Sequence, residues 1–149
     1  MNRQLNTVEL ETFMLNDAYI RNHFGGVRAL DQLDSYPKNK TIYIVNQDTS
    51  DKEGSHWIVI FMDSVPEHFD SSGQAPIERI HSYLIANGPL FYANRERVQD
   101  FYSNSCGLFC LFFAYFKSRG YTFADIMSMF SSNLVINENI VQTFYESVQ

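Results

Sequence analysis

Gln99-Asp-Phe-Tyr-Ser-Asn-Ser-Cys106-Gly-Leu-Phe-Cys110 is the stretch on which the reading of this chain turns. A short polar run gives way at Cys106 to residues that are apolar almost without interruption as far as Phe116. A segment apolar on every side suits a helix buried at the centre of a domain, and the spacing predicts one from Cys106 to about Ser118, stopped at Gly120. It is too short to cross a membrane. Cys106 then opens the helix, where unpaired backbone N–H groups and the positive end of the dipole favour a thiolate. Gly107 is expected to leave room for a substrate backbone beside the sulfur. Cys110 lies one turn inside, lacks the helix end, and reads as a buried structural cysteine.

Working outward, 149 residues with 45% hydrophobic and 15% aromatic content predict one folded domain over residues 1–149. A net charge of −6 leaves no basic footprint for nucleic acid or an anionic membrane, so neither is expected as a partner. The polar opening from Met1 to Asn6 carries no secretory signal. Two cysteines four apart make neither a disulfide framework nor, without a second Cys or His pair at ligand spacing, a metal site. A soluble protein of a reducing compartment, without cofactor or metal, is the expectation.

The remaining elements follow from pattern. A first helix is predicted over Val8 to Leu15 with Asn6 or Thr7 as cap. Thr41-Ile-Tyr-Ile-Val-Asn46 reads as a strand. His56 to Met62 reads as a second strand, buried on both faces, and a turn at Asp63-Ser-Val-Pro66 leads to a third from Glu67 to Asp70. Pro76 and Gly88 bracket a helix carrying Ile77, Ile80, Tyr83 and Leu84. Thr122 with Asp125 forms a capping-box pattern for a short helix, and Asn137 to Val148 closes the chain as another. The fold class is therefore α+β: a small antiparallel sheet packed on a central buried helix, with flanking helices.

Three further residues could make Cys106 a nucleophile. His56 stands where a polar loop enters a buried strand and is the best-placed base; an imidazolium beside the thiol would lower its pKa and prepare attack on a carbonyl. His23 and His81 sit in polar contexts and read as solvated, and His68 should point to the opposite strand face from Phe69. Asp70 can orient His56 only if the two share a sheet face, which requires Asp70 to pair opposite an even-numbered residue; a three-residue loop at Ser64 to Pro66 would set it against Ile60. Asp63 and Glu67 fall at the turn and are expected in solvent. Gln99, seven before Cys106, could aim an amide N–H at a developing oxyanion together with the backbone N–H of Cys106.

In this order, Ile44-Val-Asn46, Gly54-Ser-His56-Trp57, Phe69-Asp-Ser71 and Gln99 seven before Cys106-Gly-Leu-Phe-Cys110 resemble the adenain-like maturation proteases of adenovirus type and their relatives in virophages and Polinton/Maverick elements. The SUMO-specific proteases share the clan. The resemblance covers about residues 24 to 116, and the two ends match loosely. It implies a papain-like cysteine protease core with Cys106 as nucleophile, His56 as base and then acid, Asp70 as orienter and Gln99 in the oxyanion hole. It implies Trp57 as a wall beside the catalytic ring, and a narrow groove for glycine-containing sequences that Gly54 and Gly26 would border. The implied activity is an endopeptidase cutting viral structural precursor polypeptides during capsid maturation, in the virion and host cell (cytoplasm or virus factory). A deubiquitinase or deSUMOylase-like isopeptidase and a catalytically dead capsid-binding module are the alternatives. The adenoviral enzyme resembles a basic protein activated by DNA and a disulfide-linked peptide. This acidic chain, whose spare thiol Cys110 should be buried, is expected to need neither.

Overall fold

The structure is a computed structural model and describes residues 4–48 and 56–148. Ten regular elements carry the fold: α1 (Thr7–Asn16), β1 (Phe24–Ala29), β2 (Thr41–Asn46), β3 (Trp57–Met62), β4 (Glu67–Phe69), α2 (Glu78–Asn87), β5 (Tyr92–Ala93), α3 (Cys106–Ser118), α4 (Phe123–Met127) and α5 (Leu134–Ser147), with short 3-10 turns at Ile20–Asn22 and Leu30–Gln32. The five strands make one sheet in chain order. Its centre is antiparallel, β2 to β3 to β4, but both edges are parallel, β1 against β2 and β4 against β5. The expected antiparallel sheet is therefore mixed. The edge strands escaped a pattern reading because β5 has two residues and β1, Phe-Gly-Gly-Val-Arg-Ala, is only half-buried. Gly26 sits at a register shift in β1 with φ +139, a conformation L side chains avoid.

Period-2 alternation sorts the sheet's two faces. Ile42, Ile44, Trp57, Val59, Phe61 and Phe69 turn toward α3 and join the main core with Leu108, Phe109, Leu111 and Phe113. Tyr43, Val45, Ile58, Ile60 and Met62 turn the other way and are covered by Ile80 and Leu84 of α2. Both faces of β3 are thus buried, as its unbroken apolar run predicts. The central helix runs from Cys106 to Ser118 with ten buried residues, and Gly120 (φ +91) ends it.

The other helices match the expectations with small shifts. Asn6 caps α1 in a reciprocal capping box with Glu9, and Thr122 and Asp125 do the same for α4. In α2 the cap is Ile77, so Pro76 stands ahead of the helix rather than at its first position. The last helix begins three residues before the expected Asn137, because the Asn133 side chain accepts from Val135 N–H and starts it there.

The hairpin β3–β4 answers the register condition. Val59 pairs with Phe69, Ile60 with His68 and Phe61 with Glu67. Continued one residue, this sets Asp70 opposite Ile58, an even-numbered partner. The expected opposition to Ile60 is corrected, because the loop falls at Asp63 to Val65 rather than Ser64 to Pro66.

Candidate active site

Two chain ends of the sheet and one helix end converge. His56 immediately precedes β3 and Asp70 immediately follows β4, so the antiparallel pairing brings residues 14 apart in sequence side by side. The His56 Nε2 lies 2.7 Å from Asp70 Oδ1. The other participant is the Cys106 thiol at the first position of α3, which lines the same cleft as the ring and is close enough to raise its pKa. Cys106, His56 and Gln99 line one cleft of about 180 Å³.

Asp70 is held through one carboxylate oxygen and through its backbone. Its carboxylate Oδ1 accepts from Ser72 N–H at 2.8 Å and Ser72 Oγ at 2.7 Å. Its backbone is clamped by Asn94, which accepts from Asp70 N–H at 2.9 Å and donates to Asp70 O at 2.6 Å. Burial pushes the Asp70 carboxyl up, but its bonds to His56 and Ser72 outweigh that and hold it below the usual carboxylate range. Burial likewise pushes the His56 ring down, and the hydrogen bonds and negative charge of Asp70 and Cys106 overcome it, raising its pKa to about 9. A protonated imidazole between a carboxylate and a sulfur is the arrangement that supports a thiolate–imidazolium pair.

Gln99 is buried and fixed. Its Oε1 accepts from Ser71 Oγ at 2.6 Å, its Nε2 donates to Ser103 O at 2.8 Å, and its backbone N–H donates to Ser71 O. Nε2 also contacts Ser103 Oγ at 3.5 Å, at the long limit of a hydrogen bond and far weaker than its bond to Ser103 O. The first bond of α3 runs from Phe109 N–H to Ser105 O, so the Cys106 N–H precedes the helical ladder. Ser105 does not cap the helix; its hydroxyl donates to Glu138 Oε1 at 2.7 Å and contacts Ser103 Oγ. Glu138 also accepts from Asp100 N–H, and Asn137 donates to Val98 O, so α5 braces the loop that presents Cys106.

Some expected positions play other parts. Trp57 is buried among the α3-facing core residues and does not line the cleft. Gly26 lies in β1 under the Arg28 side chain, also outside the cleft. Gly54 lies outside the described residues. Gly107 leaves no substrate space: a Cβ there would meet Leu5 Cβ at 3.2 Å, so its smallness serves close packing of α3 on the N-terminal segment. Glu67, expected in solvent, is buried with Lys117, whose Nζ sits 2.8 Å from Oε1 and donates to Oε2 at 3.0 Å. Burial raises the Glu67 carboxyl more than Lys117 lowers it. Cys110 is buried as expected, and burial pushes its thiol well up. Ser72, Asn94 and Glu138 were not singled out from sequence; Ser72, two after Asp70 as in an Asx turn, carried a faint signal. A larger cavity of about 560 Å³ at the other end of α3 shares no lining residue with the cleft.

No protein-family model matches the sequence, and no curated protein is detectably similar to it. Solved structures are similar in fold. The ASFV pS273R protease superposes with a TM-score of 0.60 at 16% identity, over 84% of this chain and 61% of that one. The central domain of Lpg1148 from Legionella pneumophila gives 0.53 at 12% identity, over 99% and 100%. The SUMO protease Ulp1, with its catalytic cysteine oxidized to a sulfinic acid, gives 0.50 at 14% identity, over 99% and 80%. The chain has the fold of the SUMO-protease-like cysteine proteases. It spans 61% of the ASFV enzyme, and in a second structure of that enzyme 44%, at 19% identity and a TM-score of 0.50. Within this fold, Cys106, His56, Asp70 and Gln99 form one contiguous polar site.

Proposed function

We propose that this protein is a cysteine endopeptidase acting on viral structural precursors, with Cys106 as nucleophile. The observation that carries the reading is the chain of contacts Asp70–His56–Cys106 at the first turn of a buried helix, with Gln99 fixed beside it. In this scheme His56 takes the thiol proton, the thiolate attacks the scissile carbonyl, and the oxyanion is met by Cys106 N–H and Gln99 Nε2. The imidazolium then protonates the leaving amine, a thioester remains on Cys106, and His56 activates the water that hydrolyses it. Asp70 keeps the ring oriented and stabilises its charge.

The viral substrate class is supported by the likeness to the ASFV protease and by the adenain-like motifs. A second reading, a SUMO- or ubiquitin-directed isopeptidase, is favoured by the Ulp1 likeness, which extends over 99% of this chain. Incubating the protein with ubiquitin- and SUMO-type conjugates beside viral structural polyproteins separates the two. Cleavage of polyprotein between domains, with conjugates untouched, is the expected result; conjugate cleavage alone sinks the first reading.

A further inference from the structure

Arg97 lines the same cleft as Cys106, His56 and Gln99, yet the reaction scheme gives its charge nothing to do. Its Nε donates to Gln99 O at 2.7 Å, Nη2 reaches Asp100 O at 3.5 Å, and the guanidinium lies 4.2 Å over the Phe101 ring. These contacts fix the plane of the group but bring no counter-charge. The half-buried Arg28 and Arg119 differ, each having an aspartate, Asp34 at 3.8 Å and Asp17 at 2.8 Å. Among the described residues Arg97 has no carboxylate at ion-pair distance, in a chain of net charge −6.

The geometry also leaves one edge open. With Nε committed to Gln99 and Nη2 only weakly engaged, the Nη1–Nη2 edge can fork a carboxylate. Around it the cleft offers Ser72, Ser103 and Asn104, polar groups rather than apolar surface, so a substrate side chain entering here gains from being polar. A rigid, unpaired guanidinium in such a setting is complementary to an anion.

We infer that Arg97 is the carboxylate-binding residue of a substrate subsite beside Cys106, so that peptides with Asp or Glu flanking the scissile bond are preferred. This deepens the peptidase reading and rests on it. A competing role is purely structural, Arg97 pinning the loop that carries Gln99.

Paired peptides with Glu or Gln at each residue flanking the cleaved bond decide between them. The expected kcat/KM preference for Glu at one position is about tenfold or more, as for a charge-assisted hydrogen bond. R97Q should bring that ratio to about one, and Arg97→Glu should turn it toward Lys. An equal loss for Glu and Gln peptides in R97Q would overturn the subsite. A readout independent of peptide cleavage is alkylation of Cys106 by iodoacetate against iodoacetamide. R97Q should cut the preference for the anionic reagent several-fold, and an unchanged ratio overturns the proposal. A shifted ratio with no peptide cleaved would uphold the anion subsite and count against the peptidase reading.

Discussion

Between the Asp70 carboxylate and the Cys106 sulfur, the His56 ring keeps its proton to about pH 9 against an ordinary value of 6.5. Because its folded-state pKa is raised, this ring stabilises the fold fully below pH 6.5 and loses that contribution as pH climbs through 9. The expected kcat/KM profile falls on the alkaline side near pH 9, as the pair Cys106–His56 loses its imidazolium. Asp70→Asn should move this limb to lower pH, and a limb that stays in place would contradict the orienting role of Asp70. His68 behaves oppositely. It is fully buried on the α2-facing side of β4, neither ring nitrogen has a hydrogen-bond partner among the described residues, and burial lowers its pKa to about 4. A depressed folded-state pKa means stability present above 6.5 and lost as pH falls, amounting to about 3 kcal/mol once the shift is traversed. Urea unfolding of H68F between pH 6.5 and 4.5 should show a flatter pH dependence than wild type. Parallel curves would remove His68 as the cause. Cys106, His56, Asp70 and Gln99, picked out in sequence by their order and by the family resemblance, are brought to one place by the fold. Asn94 and Glu138 were not legible in sequence, since an amide clamp across 24 residues and a carboxylate brace across 33 leave no local pattern.

At the scale of elements, β3 and α3 were readable because burial demands long apolar runs, and α1 and α4 because capping boxes mark their starts. β1 and β5 were hidden because pairing at a half-covered edge demands no hydrophobic pattern. The burial of Glu67 was hidden for another reason: its partner, Lys117, lies 50 residues on, at the far end of α3. That ion pair joins the C-terminal end of the helix to the start of β4, the strand whose other end presents Asp70. Lys117→Met leaves a buried, unpaired carboxylate and should cost roughly 3–5 kcal/mol, whereas adding Glu67→Leu should restore most of it. Chemical denaturation of the single and double variants measures this. A K117M protein as stable as wild type would show the pair to be without effect.

Across the whole molecule, the sheet sets His56 and Asp70 at one end, α3 delivers Cys106 to the same end, and α5 braces the connecting loop. Every part of this assembly is supplied by the folded chain, and Cys110, the spare thiol, is buried with its pKa pushed well up. Peptidase activity is therefore expected unchanged by added DNA or by thiol-bearing peptides; a several-fold increase with either would contradict this. The most direct test of the central claim is intact-mass analysis after exposure to a peptide vinyl sulfone ending in glycine. One adduct per chain, mapped to Cys106 and unaffected by Cys110→Ala, is the predicted result. An adduct on Cys110, or peptide cleavage that survives Cys106→Ala, would contradict it.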